Sequence, residues 1–156
     1  MKKLLTVALL PFLFLGCLKT SDPAPACTNA LPSTEETQII AYCNANSIIY
    51  TKDPSGIFYQ ILDPGTAPHP STTSTITVNY VGKFLTGTVL DQSSAPYTNK
   101  LNLLIPAWQL AIPLIGKGGH IKMVAPSSLC YGCSGVPGSV DPNTILVFDV
   151  TLVDVL

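Results

Sequence analysis

Cysteine and histidine are the side chains in this sequence whose types could support covalent or metal chemistry. Five cysteines occur, and Cys130 and Cys133 have the C-x-x-C spacing. Such a pair suits thiol–disulfide exchange when it opens a helix after a strand, but here it lies in a glycine-rich loop. A zinc site needs about four ligands, and only His69 and His120 are left to complete one. The pattern therefore favours neither redox catalysis nor a metal site, and we predict no metal and no cofactor.

The composition excludes several other classes. The chain has 156 residues, of which 47% are hydrophobic and 11% charged, so it is neither a disordered chain nor a charged coiled coil. Eight lysines oppose nine acidic residues, and arginine is absent. Because bidentate contacts to phosphate and guanine favour arginine, no nucleic-acid partner is predicted. Fourteen prolines and eleven glycines indicate many turns and short strands rather than a helical bundle.

The N-terminus has the pattern of an export signal. Lys2 and Lys3 precede an apolar run over residues 4–15, which is too short for a permanent membrane span. The run ends in Gly16-Cys17, which resembles a bacterial lipoprotein cleavage box, although Phe14 stands where leucine is usual. We therefore predict a signal peptide over residues 1–16 and lipid attachment at Cys17. The alternative is an ordinary signal peptide with an incidental cysteine.

Export would place the other four cysteines in a compartment where disulfides persist. Three pairings are open, and the sequence favours Cys27–Cys43, which would pin the N-terminal segment to a helix. Cys130 and Cys133 could form a bridge, act as a redox pair or remain two free thiols. Leu18 follows the predicted lipid site, and by resemblance to lipoprotein sorting this favours the outer membrane, on either its periplasmic side or the cell surface.

The elements that must position any site are mostly strands. Residues 17–32 are rich in Pro, Ser, Thr and Ala and are typical of a flexible tether. The segment from Ser33 to Glu36 reads as a capping box, which predicts a helix to about Asn46, and a short strand follows at about residues 56–62. Period-two alternation predicts further strands at residues 75–81, 120–125 and 144–152, and a hairpin around Thr86-Gly87.

One short helix is predicted among these strands, at about residues 107–115. Trp108, Ile112 and Ile115 repeat at helical spacing, but Pro113 removes a helix donor, so the helix should be short or distorted near its end. The fold class is therefore α+β: a mostly antiparallel sheet with one helix packed on one face.

Five motifs in order resemble the FKBP-type peptidyl-prolyl cis–trans isomerases over residues 75–156. They are VNYVG at 78–82, GTVLDQS at 87–93, LIPAW at 104–108, PSSLCYG at 126–132 and PNTILVFDV at 142–150. The resemblance implies a curved antiparallel sheet wrapped around one short helix, with an N-terminal helical extension over residues 33–74. It also implies a substrate cleft between helix and sheet.

The family's functional residues carry over onto matching positions of this sequence. Trp108 would form the floor of a prolyl pocket, and Asp91 would lie at its edge near the isomerising carbonyl. The Tyr131 hydroxyl and the Ile105 backbone N–H would donate hydrogen bonds to the peptide. The implied walls and rim of the pocket comprise Tyr80, Leu90, Tyr97, Leu104, Val136, Val140 and Phe148. Leu90 stands where the family usually has Phe, Val136 where some members have His, and Asn99 where an aromatic residue is common.

The implied activity is rotation about Xaa-Pro bonds in exported or unfolded proteins, which requires neither a nucleophile nor a metal. The implied partners are proline-containing segments, macrolide inhibitors and, through the lipid, a membrane; the implied state is a monomer. Two alternatives stay open: a proline-peptide-binding chaperone module with little turnover, and a surface protein that uses the fold only as a scaffold. From periodicity alone, Trp108, Phe148 and Leu104 could equally be plain core.

Overall fold

The computed structural model describes residues 26–156. The signal peptide and lipidated Cys17 predicted above lie outside the described residues. Two α-helices and seven strands are present in that part of the chain. The helices are α1 (Pro32–Ala45) and α2 (Pro106–Ala111). The strands are β1 (Thr51–Lys52), β2 (Phe58–Asp63), β3 (Thr75–Phe84), β4 (Val89–Gln92), β5 (Tyr97–Lys100), β6 (His120–Ala125) and β7 (Leu146–Val155).

The strands form one antiparallel sheet in the order β1-β2-β6-β7-β3-β4, with β5 also paired to β3. The long strands β3 and β7 lie side by side, with Tyr80 opposite Val150 and Gly82 opposite Phe148. The pairing of β3 with β4 shifts register after Gly82, which marks a bulge. Strand β3 pairs with β4 on one edge and with β7, which is distant in sequence, on the other. Residues from these three strands therefore come together at one side of the sheet.

Helices pack against both faces of the sheet. One core lies between the sheet and α2 and contains Trp108, Ile121 and Val150. The second lies under α1, where Ile39 and Cys43 are fully buried against strand residues of the opposite face. The predicted alternation in β7 is present, but Val147 on its other face is also buried, because α1 covers that face.

The prolines at the two ends of helix α2 explain why it is short. Pro106 occupies the first turn, where its missing N–H costs nothing. The α-helix ends at Ala111, and a 3₁₀ turn over Ile112–Leu114 contains Pro113. Trp108, Ile112 and Ile115 are all buried, so the predicted distortion and the predicted apolar face are both confirmed.

Helix α1 begins differently from the prediction. Its N-cap residue is Leu31 and Pro32 occupies the first turn, so the predicted capping box at Ser33 does not form. Thr34 donates its hydroxyl proton to the Leu31 carbonyl at 2.7 Å, and Glu36, the acidic residue of the predicted box, is paired with Lys52 at 2.7 Å. The prediction was wrong because Pro32, whose fixed φ suits the first turn, begins the helix two residues earlier than predicted and leaves Ser33 inside it.

The predicted Cys27–Cys43 disulfide is wrong. Cys27 is bonded to Cys133, and Cys43 and Cys130 are free thiols. The Cys43 side chain points into the core beneath α1 and is fully buried, so it faces away from the N-terminal segment. Most of the predicted tether, residues 17–32, lies outside the described residues, and its described part is held to the loop after β6.

Neither helix within residues 26–156 combines the length and apolarity required to cross a bilayer.

Candidate functional site

A cleft with a volume of about 170 Å³ lies between α2 and the concave face of the sheet. Nine residues line it, drawn from four strands (β3, β4, β5 and β7), the start of α2 and the loops next to them. They are Tyr80, Leu90, Asp91, Tyr97, Leu104, Ile105, Trp108, Tyr131 and Phe148. All nine were predicted as site residues, and the fold brings them together although they span 69 positions of sequence, from 80 to 148.

Three aromatic rings form the base of the cleft. Trp108 on α2 meets Tyr80 of β3 edge to face, with ring centroids 5.0 Å apart, and meets Phe148 of β7 at 5.8 Å. Trp108 and Phe148 are each 5% exposed, so they belong to the core and to the cleft at once. Edge-to-face packing holds each ring in one orientation, which gives the cleft a rigid, apolar base suited to a flat aliphatic ring.

A hydrogen bond from Tyr80 holds the acidic side chain of Asp91 at the edge of the cleft. The Tyr80 hydroxyl donates to Asp91 Oδ2 at 2.5 Å, linking β3 to β4. Burial, and then the hydrogen bond and negative charge of Asp91, raise the pKa of Tyr80 above its ordinary value. Ser93 adds a further tie, because its Oγ accepts from the Tyr80 backbone N–H at 2.9 Å. Asp91 is therefore held at the rim by a protonated tyrosine.

Two hydrogen-bond donors face the cleft without a partner in its wall. The Tyr131 hydroxyl lines the cleft, and burial raises its pKa, so it carries its proton at neutral pH. Ile105 is the N-cap residue of α2, and the N–H groups at a helix start have no acceptor within the helix. Both donors are free to bond to an acceptor that enters the cleft.

One aliphatic and one aromatic side chain stand at the mouth of the cleft. Leu90 of β4 contributes a branched aliphatic side chain that is partly exposed. Tyr97 of β5 packs edge to face against Tyr80 at 6.1 Å, and its hydroxyl accepts from Asn99 Nδ2 at 2.7 Å. Asn99 thus supports the orientation of Tyr97, a role that its position in sequence did not suggest.

Val136 and Val140 do not line the cleft. Each donates its backbone N–H to the carbonyl of the other at 2.8 Å, which closes a small loop of its own. Val140 is buried within that loop. The expectation that these residues form part of the pocket wall is therefore wrong, because their backbone groups bond to each other and neither residue is among those that line the cleft.

Cys130 and Cys133 do not form a reactive pair. Cys133 is bonded to Cys27, and burial raises the pKa of the Cys130 thiol to about 12. A thiol must ionise to act as a nucleophile, so Cys130 is unsuited to redox catalysis. No group of three or more His, Cys, Asp or Glu residues in the described part of the chain is arranged to hold a metal ion.

An antiparallel sheet around a short helix, with an aromatic-based cleft between them, defines the FKBP-like class of domains. The sequence profile described as "FKBP-type peptidyl-prolyl cis-trans isomerase" matches residues 67–153. The chain belongs to this family.

Individual relatives agree with this assignment. The FKBP-type peptidyl-prolyl cis-trans isomerase FkpA of Escherichia coli is 41% identical over 104 residues, which are 65% of this chain and 38% of that protein. The outer membrane protein MIP of Legionella longbeachae is 36% identical over 105 residues, which are 65% of this chain and 45% of that protein. This chain therefore matches less than half the length of these curated relatives.

Solved structures also superpose on the chain. The crystal structure of Escherichia coli FkpA gives a TM-score of 0.70 at 34% identity, over 80% of this chain and 60% of that one. A peptidyl-prolyl cis-trans isomerase from Pseudomonas syringae gives 0.69 at 29% identity, over 82% of this chain and 98% of that one. The FKBP-like fold predicted from the sequence is confirmed.

Proposed function

We propose that this chain is a peptidyl-prolyl cis–trans isomerase that assists the folding of exported proteins. The observation that carries the proposal is the cleft itself, an aromatic base around Trp108 flanked by the Tyr131 hydroxyl and the Ile105 N–H. The similar proteins that bear the same activity in their names support it. The substrates are proline-containing segments, and macrolide inhibitors are candidate ligands of the same cleft.

Rotation about an Xaa-Pro bond is slow because the amide must lose its resonance, at a cost of about 18–20 kcal/mol. No bond is broken, so a catalyst need only bind the twisted amide better than the planar one. A twisted amide is less polar and loses less on leaving water, which favours it in an apolar cleft. The base formed by Trp108 and Phe148 would hold the proline ring while the two donors hold the flanking backbone.

The test is NMR exchange spectroscopy on a Leu-Pro peptide with the full-length chain. We expect the parent to accelerate exchange and a Tyr131→Ala, Trp108→Ala double variant to lose the acceleration. An Ile49→Ala variant is the matched control, because Ile49 is 82% exposed and does not line the cleft. A folded parent that does not accelerate exchange would refute the isomerase proposal. Peptide-dependent shift changes in that case would favour the binding-module alternative.

We also propose that the chain is exported, cleaved before Cys17 and anchored by lipid in the outer membrane. The support is the Gly16-Cys17 pattern, together with the Cys27–Cys133 disulfide, a kind of bond that forms and persists in oxidising compartments. The similarity to a protein named as an outer membrane protein points the same way. Mass spectrometry of the mature N-terminus is the test; an unmodified Cys17 would refute the anchor, and Cys17→Ser is the control.

A further inference from the structure

The loop that carries Tyr131 into the cleft is fastened on both sides by the N-terminal segment. This loop, residues 126–134, follows β6 and consists of two 3₁₀ turns, Ser127–Leu129 and Gly132–Ser134, with Tyr131 between them. The segment that touches it, residues 27–35, contributes nothing to the lining of the cleft. We call this segment the brace.

On the side before Tyr131, the brace acts through a buried carboxylate. Glu35 is only 8% exposed, and Ser127 is fully buried. The Ser127 backbone N–H donates to Glu35 Oε2 at 2.8 Å, and the Ser127 hydroxyl donates to Glu35 Oε1 at 2.6 Å. Both carboxylate oxygens thus bind one residue, and hydrogen bonds to a charged acceptor are stronger than neutral ones.

On the side after Tyr131, the brace is bonded covalently. Cys27 is joined to Cys133, and the Cys133 N–H also donates to Asn29 Oδ1 at 2.8 Å. Gly132 has φ +57°, and a side chain there would strike the Asn29 amide. The backbone of the loop and the brace are therefore in direct contact immediately after Tyr131.

These two attachments lie four residues before and two residues after Tyr131, so little of the intervening backbone is free to move. We propose that Glu35 is a positioning residue for prolyl isomerisation, and that the brace sets where the Tyr131 hydroxyl stands in the cleft. The inference rests on the proposed function, because it assigns the brace a role in that reaction. It also gives the α1 region a purpose beyond covering the outer face of the sheet.

If Glu35 served only to stabilise the fold, its loss would lower activity equally with and without the Tyr131 hydroxyl. The positioning role predicts a loss that depends on this hydroxyl. Helix α1 is also held by Ile39 and Cys43, which are fully buried in the core beneath it. Loss of the Glu35 carboxylate leaves that packing intact, so the fold should persist while the loop loosens. Activity should then fall only through Tyr131, and this dependence can be measured.

The experiment is a double-mutant cycle on the full-length, oxidised chain. Glu35→Ala is expected to lower kcat/KM for a Leu-Pro peptide about three- to tenfold, or about 0.7–1.4 kcal/mol of transition-state stabilisation, and by no more than removal of the Tyr131 hydroxyl itself. In a Tyr131→Phe background the same change should cost less than about twofold, because the hydroxyl it positions is gone. Glu35→Gln, which keeps one acceptor oxygen, should restore part of the activity.

The matched control is Glu36→Ala. Glu36 is the neighbouring residue with the same side chain, but it is paired with Lys52 at 2.7 Å on the surface. It should leave kcat/KM unchanged. An equal loss from Glu35→Ala in both tyrosine backgrounds, or an equal loss from Glu36→Ala, would overturn the positioning role.

A second variant covers the case in which Glu35→Ala does not fold. Replacing Cys27 and Cys133 together by Ser releases the other end of the brace and should show the same dependence on Tyr131; an equal loss in both backgrounds would overturn the proposal. If the parent lacks isomerase activity, the proposed function fails by itself. The Tyr131 ring resonances then decide the brace separately: they should shift in Glu35→Ala and not in Glu36→Ala, and unchanged resonances would refute it.

Discussion

Tyr80→Phe and Tyr131→Phe each remove one hydroxyl from the same cleft, but the first should lower the stability of the fold and the second should lower activity. The Tyr80 hydroxyl donates to Asp91 within the protein, whereas the Tyr131 hydroxyl faces the cleft with no partner among the described residues. Tyr80→Phe therefore removes an internal hydrogen bond. On the proposed function, Tyr131→Phe removes one that would form only with the bound peptide.

The expected magnitudes follow from these partners. A hydrogen bond to a charged group contributes about 1.5–3 kcal/mol, and because Asp91 is exposed we expect Tyr80→Phe to lower the free energy of unfolding by about 1 kcal/mol. Tyr131→Phe should change the free energy of unfolding by less than about 0.5 kcal/mol. It should lower kcat/KM about three- to tenfold, the value of a neutral hydrogen bond made in the transition state.

The assays are urea unfolding, followed by tryptophan fluorescence, and NMR exchange on a Leu-Pro peptide. Trp108 is the single tryptophan and packs directly against Tyr80, so its emission reports unfolding at the cleft itself. If Tyr131→Phe destabilised the fold without slowing exchange, the hydroxyl would be structural and its assignment as a donor to substrate would be refuted. A Tyr80→Phe variant as stable as the parent would refute the reasoning about Asp91.

Three further results are expected. Leu90→Phe should tighten binding of a proline peptide about two- to tenfold by adding an aromatic wall, measured by NMR titration; unchanged affinity would mean that this position does not touch substrate. Replacing both Cys27 and Cys133 by Ser should lower the free energy of unfolding by about 2–5 kcal/mol in urea, because the bond closes a loop with a sequence separation of 106; a change below about 1 kcal/mol would contradict this. The pKa of Tyr80 is raised above its usual value of 10.0, so the folded state holds this proton more tightly than the unfolded chain; the stability that it contributes is complete below about pH 10 and is lost as the pH rises further. Unfolding measured from about pH 8 to about pH 11 should show that decline, with a shallower slope in Tyr80→Phe, and identical slopes would contradict the shift.

Much of the fold could be predicted because its signals are local. The alternation in β3, β6 and β7 places apolar side chains on one face at every second residue, and this pattern needs no knowledge of the rest of the chain. The shortened α2 could be predicted as well, because Pro113 removes a helix donor wherever the helix lies. Two strands were missed: β1 has only two residues, and β5 (Tyr97–Lys100) is mostly polar, so each exists through pairing with a neighbour.

The candidate site, like the fold, could be predicted in part from the sequence. The resemblance identified all nine lining residues, because it assigned each motif a place in a known fold; eight lie within the motifs, and Tyr97 lies between two of them. It also assigned Val136 and Val140 to the pocket, but their backbone groups pair with each other and neither residue lines the cleft. Asn99 was noted only as a missing aromatic residue, although its amide supports the Tyr97 hydroxyl.

The amino-acid sequence alone was enough to establish the fold class, the short helix and the residues of the cleft. The tertiary structure decided that Cys27 pairs with Cys133 rather than Cys43, and that Glu35 binds Ser127. These partners are 106 and 92 residues apart. Local patterns carry information about backbone conformation and about which side of an element is apolar. They carry none about which distant polar or sulfur atom will stand opposite once the sheet has assembled, because that is determined by the packing of the whole chain.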